Sequence, residues 1–263
     1  MLRVMTLNIW NLSGPWEERR GEIVAWLDEV EPDVVCLQEV VQSEDQDQAE
    51  WLADAAAVDY HVAFGGSLDF GGGQFGNAVL SRWTVEESHN AQLPYDADRG
   101  DMQRTVLHAR TRGMDVFSTH LTHLKHAGAL REAEVAELVR VVEQRAADDA
   151  AVPPVVAGDF NAEPESTEVR HLCGLTSLNG RSTYFQDAWR VAGGSGPGLT
   201  WDNRNPFAAT QKEIDRRLDY VFVGWRKQSG AGRVRSARVV CDVSRTGTFA
   251  SDHYGVVAEV DEG

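Results

Sequence analysis

Near the start of the chain the spacing of apolar positions changes rhythm twice. Residues 3–9, RVMTLNI, form an apolar and β-branched run with the length of a strand. From Pro15 to Val30, the apolar residues Trp16, Ile23, Val24, Leu27 and Val30 fall at helical spacing behind a proline, which suits a helix start. PDVVCLQEV at 32–40 then reads as a second buried strand, and SEDQDQAEWLADAA at 43–56 as an acidic amphipathic helix capped by Ser43. Short strands are expected around Tyr60–Phe64, Ala78–Ser81, Thr105–Arg110 and Asp115–Thr119. A long helix follows from about Ala127 to Ala146, with Leu130, Val135, Leu138, Val139 and Val142 on one side. The apolar run Pro154–Gly158 is a buried strand, and Pro164 leads a short helix. AGGSGPG at 192–198 is a loop, beyond which the strands LDYVFV, RVRSARVVC and YGVVAEV close the chain. Many short strands with few helices between them predict two packed sheets flanked by helices, an α/β sandwich, built as a single domain over residues 1–263.

Charge narrows what such a domain does. The 25 Lys and Arg against 41 Asp and Glu give a net charge of −16. Proteins that coat nucleic acid usually present excess positive charge to phosphates, so a sequence-independent nucleic-acid surface is disfavoured, while a local basic groove is not. Cys36, Cys173 and Cys241 are widely spaced, make no CxxC pair, and two of them lie in apolar runs. They read as buried free thiols of a reducing compartment. With no signal-peptide pattern at the start and no apolar stretch long enough to span a bilayer, the expectation is a cytoplasmic protein.

The chemistry collects at strand ends. Asn8 follows VMTL, Glu39 follows DVVCLQ, His120 follows DVFST, and Asp159 and Asn161 follow PVVAG. Asp219 sits inside RRLDYVFV, and Asp252-His253 opens the last strand. Each alone reads as an ordinary turn or core polar residue. Together they would gather like charges that need a cation, and oxygen ligands suit a hard divalent ion, Mg²⁺ or in its place Mn²⁺. Glu39, Asn8 and Asp252 are the candidate ligands. Asp159 and Asn161, two apart on an extended backbone, could hold a water, and His253 paired with Asp219 would be held protonated as a charge stabiliser.

The segments TLNIW, CLQEV, GNAVLSRW, STHL, GDFNAEP, RRLDYVFV and SDHYGVVAEV, in this order, resemble the endonuclease/exonuclease/phosphatase superfamily with its DNase I-like fold. The resemblance runs from the first strand to the last. It implies a four-layer α/β/β/α sandwich of two mostly antiparallel sheets and Mg²⁺-dependent hydrolysis of a phosphoester. It also implies metal-side roles for Asn8, Glu39 and Asp252, a water-activating role for Asp159 and Asn161, and a catalytic His253 partnered by Asp219. His120 matches a position beside the leaving group.

For the substrate the sequence offers less. Seven Lys and Arg lie between Arg216 and Arg238 with one acid, Asp219, which marks a candidate phosphate-facing rim led by Arg216 and Arg217. GLTWDNRNPFA at 198–208 reads as a recognition loop in which Trp201 and Phe207 could stack on substrate, or could pack the loop onto the sheet. His123 and His126 read as loop residues or substrate neighbours. The acidic balance favours a small-molecule or lipid-linked phosphoester. A nuclease or DNA-repair phosphodiesterase is the alternative, and a catalytically inactive binding domain a distant third.

Overall fold

The computed structural model describes the backbone of residues 1–263 and the side chains of all but Arg99. In chain order the elements are β1 (Leu2–Asn8), α1 (Trp16–Val30), β2 (Val34–Gln42), α2 (Gln48–Ala55), β3 (His61–Phe70), β4 (Gly73–Ser81), β5 (Val85–Gln92), β6 (Thr105–Thr111), β7 (Met114–His120), α3 (Gly128–Arg145), β8 (Val155–Asp159), α4 (Thr167–Leu172), β9 (Gln186–Asp187), α5 (Ala188–Ala192), α6 (Pro206–Ala209), β10 (Asp219–Val223), β11 (Val234–Val240) and β12 (Gly255–Val260). They build two six-stranded sheets, ordered β11-β12-β1-β2-β4-β3 and β5-β6-β7-β8-β10-β9. Each sheet is antiparallel except for one central parallel pair, β1 with β2 and β7 with β8. A parallel pair needs a crossover, and α1 and α3 supply the two.

Strand alternation sorts the side chains into layers. Leu2 and Val4 of β1, Val155 and Ala157 of β8, and Val221 and Val223 of β10 meet between the sheets. Met5 and Leu7 face outward onto Ile23, Trp26 and Leu27 of α1 and Leu52 of α2. On the other side Val156, Tyr220 and Phe222 face Val135, Leu138 and Val142 of α3 and Val169 and Leu172 of α4. The result is the expected four-layer α/β/β/α sandwich. Strands buried on both faces read as continuous apolar runs, which is why they are legible in the sequence.

Several local expectations shift. Asp47, not Ser43, caps α2: its Oδ1 accepts from the Glu50 amide at 3.1 Å, and the acidic stretch before it is a turn. The short helix after GDFNAEP starts at Thr167 rather than at Pro164, because Glu163–Ser166 first closes a turn. The β3–β4 hairpin extends further toward its turn, to Phe70 and Gly73, than the apolar signal suggests. β8 begins one residue later than expected and runs on through Gly158 to Asp159, and a Cβ at Gly158 would lie 1.9 Å from the Thr119 carbonyl oxygen.

Candidate active site

The same alternation that packs the core also aims the polar strand ends. On β1 the inward series Leu2, Val4, Thr6 ends at Asn8, and on β7 the series Met114, Val116, Ser118 ends at His120. On β8, Val155 and Ala157 lead to Asp159, and on β10 Asp219 begins the series continued by Val221 and Val223. Register places His120 opposite Asp159 and Asp159 opposite Asp219. The site therefore lies where the inter-sheet core runs out. A polar ladder marks the transition: Thr6 Oγ1 donates to Gln38 Oε1 at 3.2 Å, and Gln38 Nε2 donates to Ser118 Oγ of the other sheet at 3.1 Å.

Glu39 reaches the site by a different route. The β2–β4 pairing shifts register between Leu37 and Val40, and Glu39 takes a left-handed φ of 59°. The bulge turns its carboxylate to accept from Asn8 Nδ2 at 3.1 Å and from Asn11 Nδ2 at 2.7 Å. Trp10, Asn11 and Asn161, also at the site, have positive φ as well. Such conformations cost energy in non-glycine residues, and they cluster here as they do at functional sites generally.

Asp159 is the hub. Its Oδ1 accepts from the Asn161 amide at 2.9 Å, and its Oδ2 accepts from Asn8 Nδ2 at 3.1 Å and faces Nε2 of His120 at 3.5 Å and of His253 at 3.7 Å. His253 Nδ1 donates to Asp219 Oδ2 at 2.9 Å. Burial opposes charge on His253, but Asp219 and Asp159 outweigh it and raise its pKa well above 6.5, so the imidazolium is the resting form. His120 goes the other way: burial, Arg104 and His253 push its pKa well below 6.5. Arg104 Nη1 donates to His120 Nδ1 at 2.9 Å, which leaves the ring's proton on Nε2, the atom facing Asp159. Burial raises Asp159 as well, against the pull of His253. Two histidines on one carboxylate thus hold opposite charge states.

Glu39, Asp159, Asp252 and Glu213 line one cavity of about 280 Å³ with Asn161, His120, His253 and Arg104. Burial, against the opposing charge of His253 and with that of Glu39 adding to it, lifts Asp252 to about 6. Carboxylates that crowd one another in a shared cavity fit a hard divalent cation. Asp159, Asp219 and His253 also bring ligand atoms within 4.8 Å of one another. There, however, the short His253–Asp219 hydrogen bond already uses one ligand atom of each, so Glu39 and Asp252 are the better holders. Asn8 stands beside them with its amide NH₂ on Glu39 and Asp159, while its oxygen accepts from the Trp10 amide at 2.9 Å.

The expected substrate residues separate. Arg216 lines the cavity, paired with Glu213. Arg217 does not: its guanidinium makes two bonds to buried Asp187, at 2.9 and 2.8 Å, and lies over Tyr220, so it serves the fold. Trp201 reaches the cavity but is buried, its ring edge-on to His253 with centroids 5.0 Å apart, so it braces the histidine rather than offering a free stacking face. The loop expected to recognise substrate is largely scaffold. Thr200 Oγ1 accepts from the Leu218 and Asp219 amides, and Asn205 Nδ2 donates to the Ser251 and Asp252 carbonyls. His123 Nδ1 accepts from Arg104 Nη2 at 3.1 Å, whereas His126 is exposed and stays outside the cavity lining.

Sequence reasoning passed over Arg104, Thr200, Asn205 and Arg19. Arg19 is fully buried on α1 and donates to the carbonyls of Ile9, Trp10, Asn11, Ser13 and Ala250, pinning the loops that carry Asn8 and Asp252. Burial lowers its pKa to about 10. A charged residue near the start of an otherwise amphipathic helix gave no signal of this.

Comparison with known proteins places the chain in a family. The model of the Endonuclease/Exonuclease/phosphatase family matches residues 5–253. The uncharacterized protein YbhP of Escherichia coli is 34% identical over 146 residues, 50% of this chain and 54% of that protein. Nocturnin of Homo sapiens is 27% identical over 270 residues, 93% of this chain and 58% of that protein. The chain thus spans little more than half the length of the curated relatives it matches. Among solved structures, D. rerio TDP2 complexed with single strand DNA product superposes with a TM-score of 0.73 at 23% identity, covering 99% of this chain and 98% of that one.

Proposed function

The chain belongs to the endonuclease/exonuclease/phosphatase family, a family of phosphoesterases and nucleases, and from that premise we propose that it is a Mg²⁺-dependent phosphoester hydrolase acting on a small-molecule or lipid-linked substrate. The observation that carries the reaction class is the arrangement around Asp159: one buried carboxylate facing Nε2 of both His120 and His253, in one cavity with Glu39 and Asp252. Glu39 and Asp252 would hold the divalent ion, which when bound supplies Lewis-acid polarisation of the phosphoryl group. Asp159 orients a water and takes its proton, and Asn161, whose Nδ2 donates to the Leu121 carbonyl at 3.1 Å, keeps Oδ1 for that water. His253, held charged by Asp219, neutralises the phosphoryl oxygens as negative charge develops. His120 Nε2–H faces the same space as a donor to the leaving oxygen. Asn8 keeps Glu39 and Asp159 at fixed separation.

The small or lipid-linked substrate is supported by the modest cavity, its four carboxylates and the net charge of −16. Exposed Met102, on the cavity wall, and Ile214, next to Glu213, offer apolar contacts at the mouth. The nucleic-acid reading is favoured by one observation, the shared fold with a TDP2 structure that holds a single strand DNA product. Among the described residues no helix is long and apolar enough to cross a membrane. The deciding experiment is an activity panel with Mg²⁺ and Mn²⁺ over plasmid DNA, oligonucleotides, nucleotides, sphingomyelin, sugar phosphates and inositol phosphates, run beside Glu39→Ala. Turnover of a small phosphoester that the variant loses is the expected result. Plasmid nicking that the variant loses would move the substrate to nucleic acid, and metal-independent turnover would overturn the mechanism.

A further inference from the structure

Glu213 is out of place in an enzyme that handles anions. Its carboxylate lines the catalytic cavity, where Glu39, Asp159 and Asp252 already concentrate negative charge. It pairs there with two cations from different parts of the chain. Lys125 Nζ, from the loop that follows the His120 strand, lies 2.8 Å away, and Arg216, just before the Asp219 strand, meets it from the other side. The remaining cations nearby are committed. Arg104 donates to His120 and His123, and Arg217 to Asp187. Arg216 is different. Its main chain is fixed by pairing with Trp201, and the one side-chain partner of its guanidinium among the described residues is Glu213, which sits on an exposed segment rather than in the core.

The space beyond Glu213 is also built. A second cavity of about 420 Å³ shares Asn161, Glu213 and Arg216 with the catalytic one and adds Lys125, Lys212 and Arg131 to its walls. Glu213 therefore stands between the hydrolytic centre and a cation-lined recess. The segment that carries it can move without unpacking the core. Residues 210–215 are exposed apart from the half-buried Glu213, Lys212 has a left-handed φ of 56°, and Asn203 holds the backbone through the Glu213 carbonyl and Asp215.

We propose that Lys125 and Arg216 form an anion subsite beside the hydrolytic centre, occupied by Glu213 until a substrate bearing a second anionic group displaces it. This rests on the phosphoester-hydrolase reading and deepens it, since the substrate then carries a phosphate or similar charge besides the scissile one. Glu213 acts as an internal mimic of that group, so a phosphoester with no second anionic group meets a closed subsite and one that bears a second anionic group opens it. The second charge could belong to a small bisphosphorylated molecule or to the next phosphate of a strand.

The test is calorimetric titration of the full chain, with and without Mg²⁺, using thymidine 5′-monophosphate, thymidine 3′,5′-bisphosphate and a short single-stranded oligonucleotide. Glu213→Gln should tighten the bisphosphate about threefold to tenfold while leaving the monophosphate within about twofold, the scale of a partly exposed ion pair that no longer competes. Adding Lys125→Ala to Glu213→Gln should remove most of the gain, which guards against a trivial change in folding. A gain for the bisphosphate alone identifies a small substrate with two phosphate groups, and an equal gain for the oligonucleotide identifies a strand. Equal shifts for mono- and bisphosphate, or none, overturn the subsite. Hydrolysis is scored separately: discrimination without turnover would sink the catalytic reading alone, and turnover without discrimination the subsite alone.

Discussion

The two parallel crossover units, β1-α1-β2 and β7-α3-β8, occupy equivalent places at the centres of their sheets, yet they deliver different chemistry. In each, the first strand ends in a hydrogen-bonding side chain, Asn8 or His120, and the second carries a carboxylate, Glu39 within β2 or Asp159 at the end of β8. In the second unit the register is unbroken, Gly158 lets β8 lie against Thr119, and Asp159 is 1% exposed. In the first unit a bulge advances the chain and turns Glu39 into the half-buried mouth of the cavity. One residue of register separates a carboxylate that can meet a hydrated ion from one that can manage a proton. A shared topology fixes where the groups arrive; the local backbone decides what they do there.

The sharpest way to break that comparison is to delete each carboxylate in turn. Asp159→Ala should lower kcat by about 10²- to 10³-fold with divalent-ion binding little changed, whereas Glu39→Ala should lose both ion binding and activity. A near-normal rate for Asp159→Ala, read in the same steady-state assay, would remove it from the mechanism. Next in size is Gly158→Ala. The added methyl would meet the Thr119 carbonyl, and the chain should lose about 2–3 kcal/mol in urea unfolding, since backbone cannot step aside as a side chain can.

Smaller effects sharpen the contrast. Asn11→Ala removes a 2.7 Å bond to Glu39 and should weaken Mg²⁺ binding about tenfold by titration, with kcat at saturating ion nearly kept. The proton on His253 gives the smallest and most diagnostic signal. Its folded pKa is raised, so its contribution to stability is complete below the unfolded value near 6.5 and fades as pH climbs through the folded one. Asp219→Asn should therefore destabilise the chain more at about pH 6 than at about pH 9, by on the order of 1 kcal/mol. Thermal midpoints that fall equally at both pH values would mean the pair is structural and not charged.

How much of this was legible depended on whether a residue's partner lay on the same periodic pattern. Strands buried on both faces announced themselves, and the polar residues that ended them, from Asn8 to His253, converge in one cavity or directly behind it. β5 was missed because VEESHNAQ is an edge strand, largely exposed, with too few apolar residues to show a period. β9, α5 and α6 were missed because each is too short to carry one. Arg217 illustrates a harder limit. It lies two residues from Asp219, and spacing alone could not tell whether it faced substrate or Asp187. Arg104 illustrates the converse: its role exists only because β6 and β7 pair and bring it to His120, a contact that no local pattern encodes.

Arg19 has a consequence for motion. Its six hydrogen bonds tie residues 9–13, which follow Asn8, to Ala250, which precedes Asp252, segments at opposite ends of the chain. A guanidinium satisfied wholly by main-chain carbonyls cannot release one segment without stranding donors meant for the other. The two loops should therefore breathe as a single unit, with deuterium entering the amides around Trp10 and those around Ser251 at a common rate. What looks like two separate site residues far apart in the chain, Asn8 and Asp252, would then be, on the timescale of opening, one moving part.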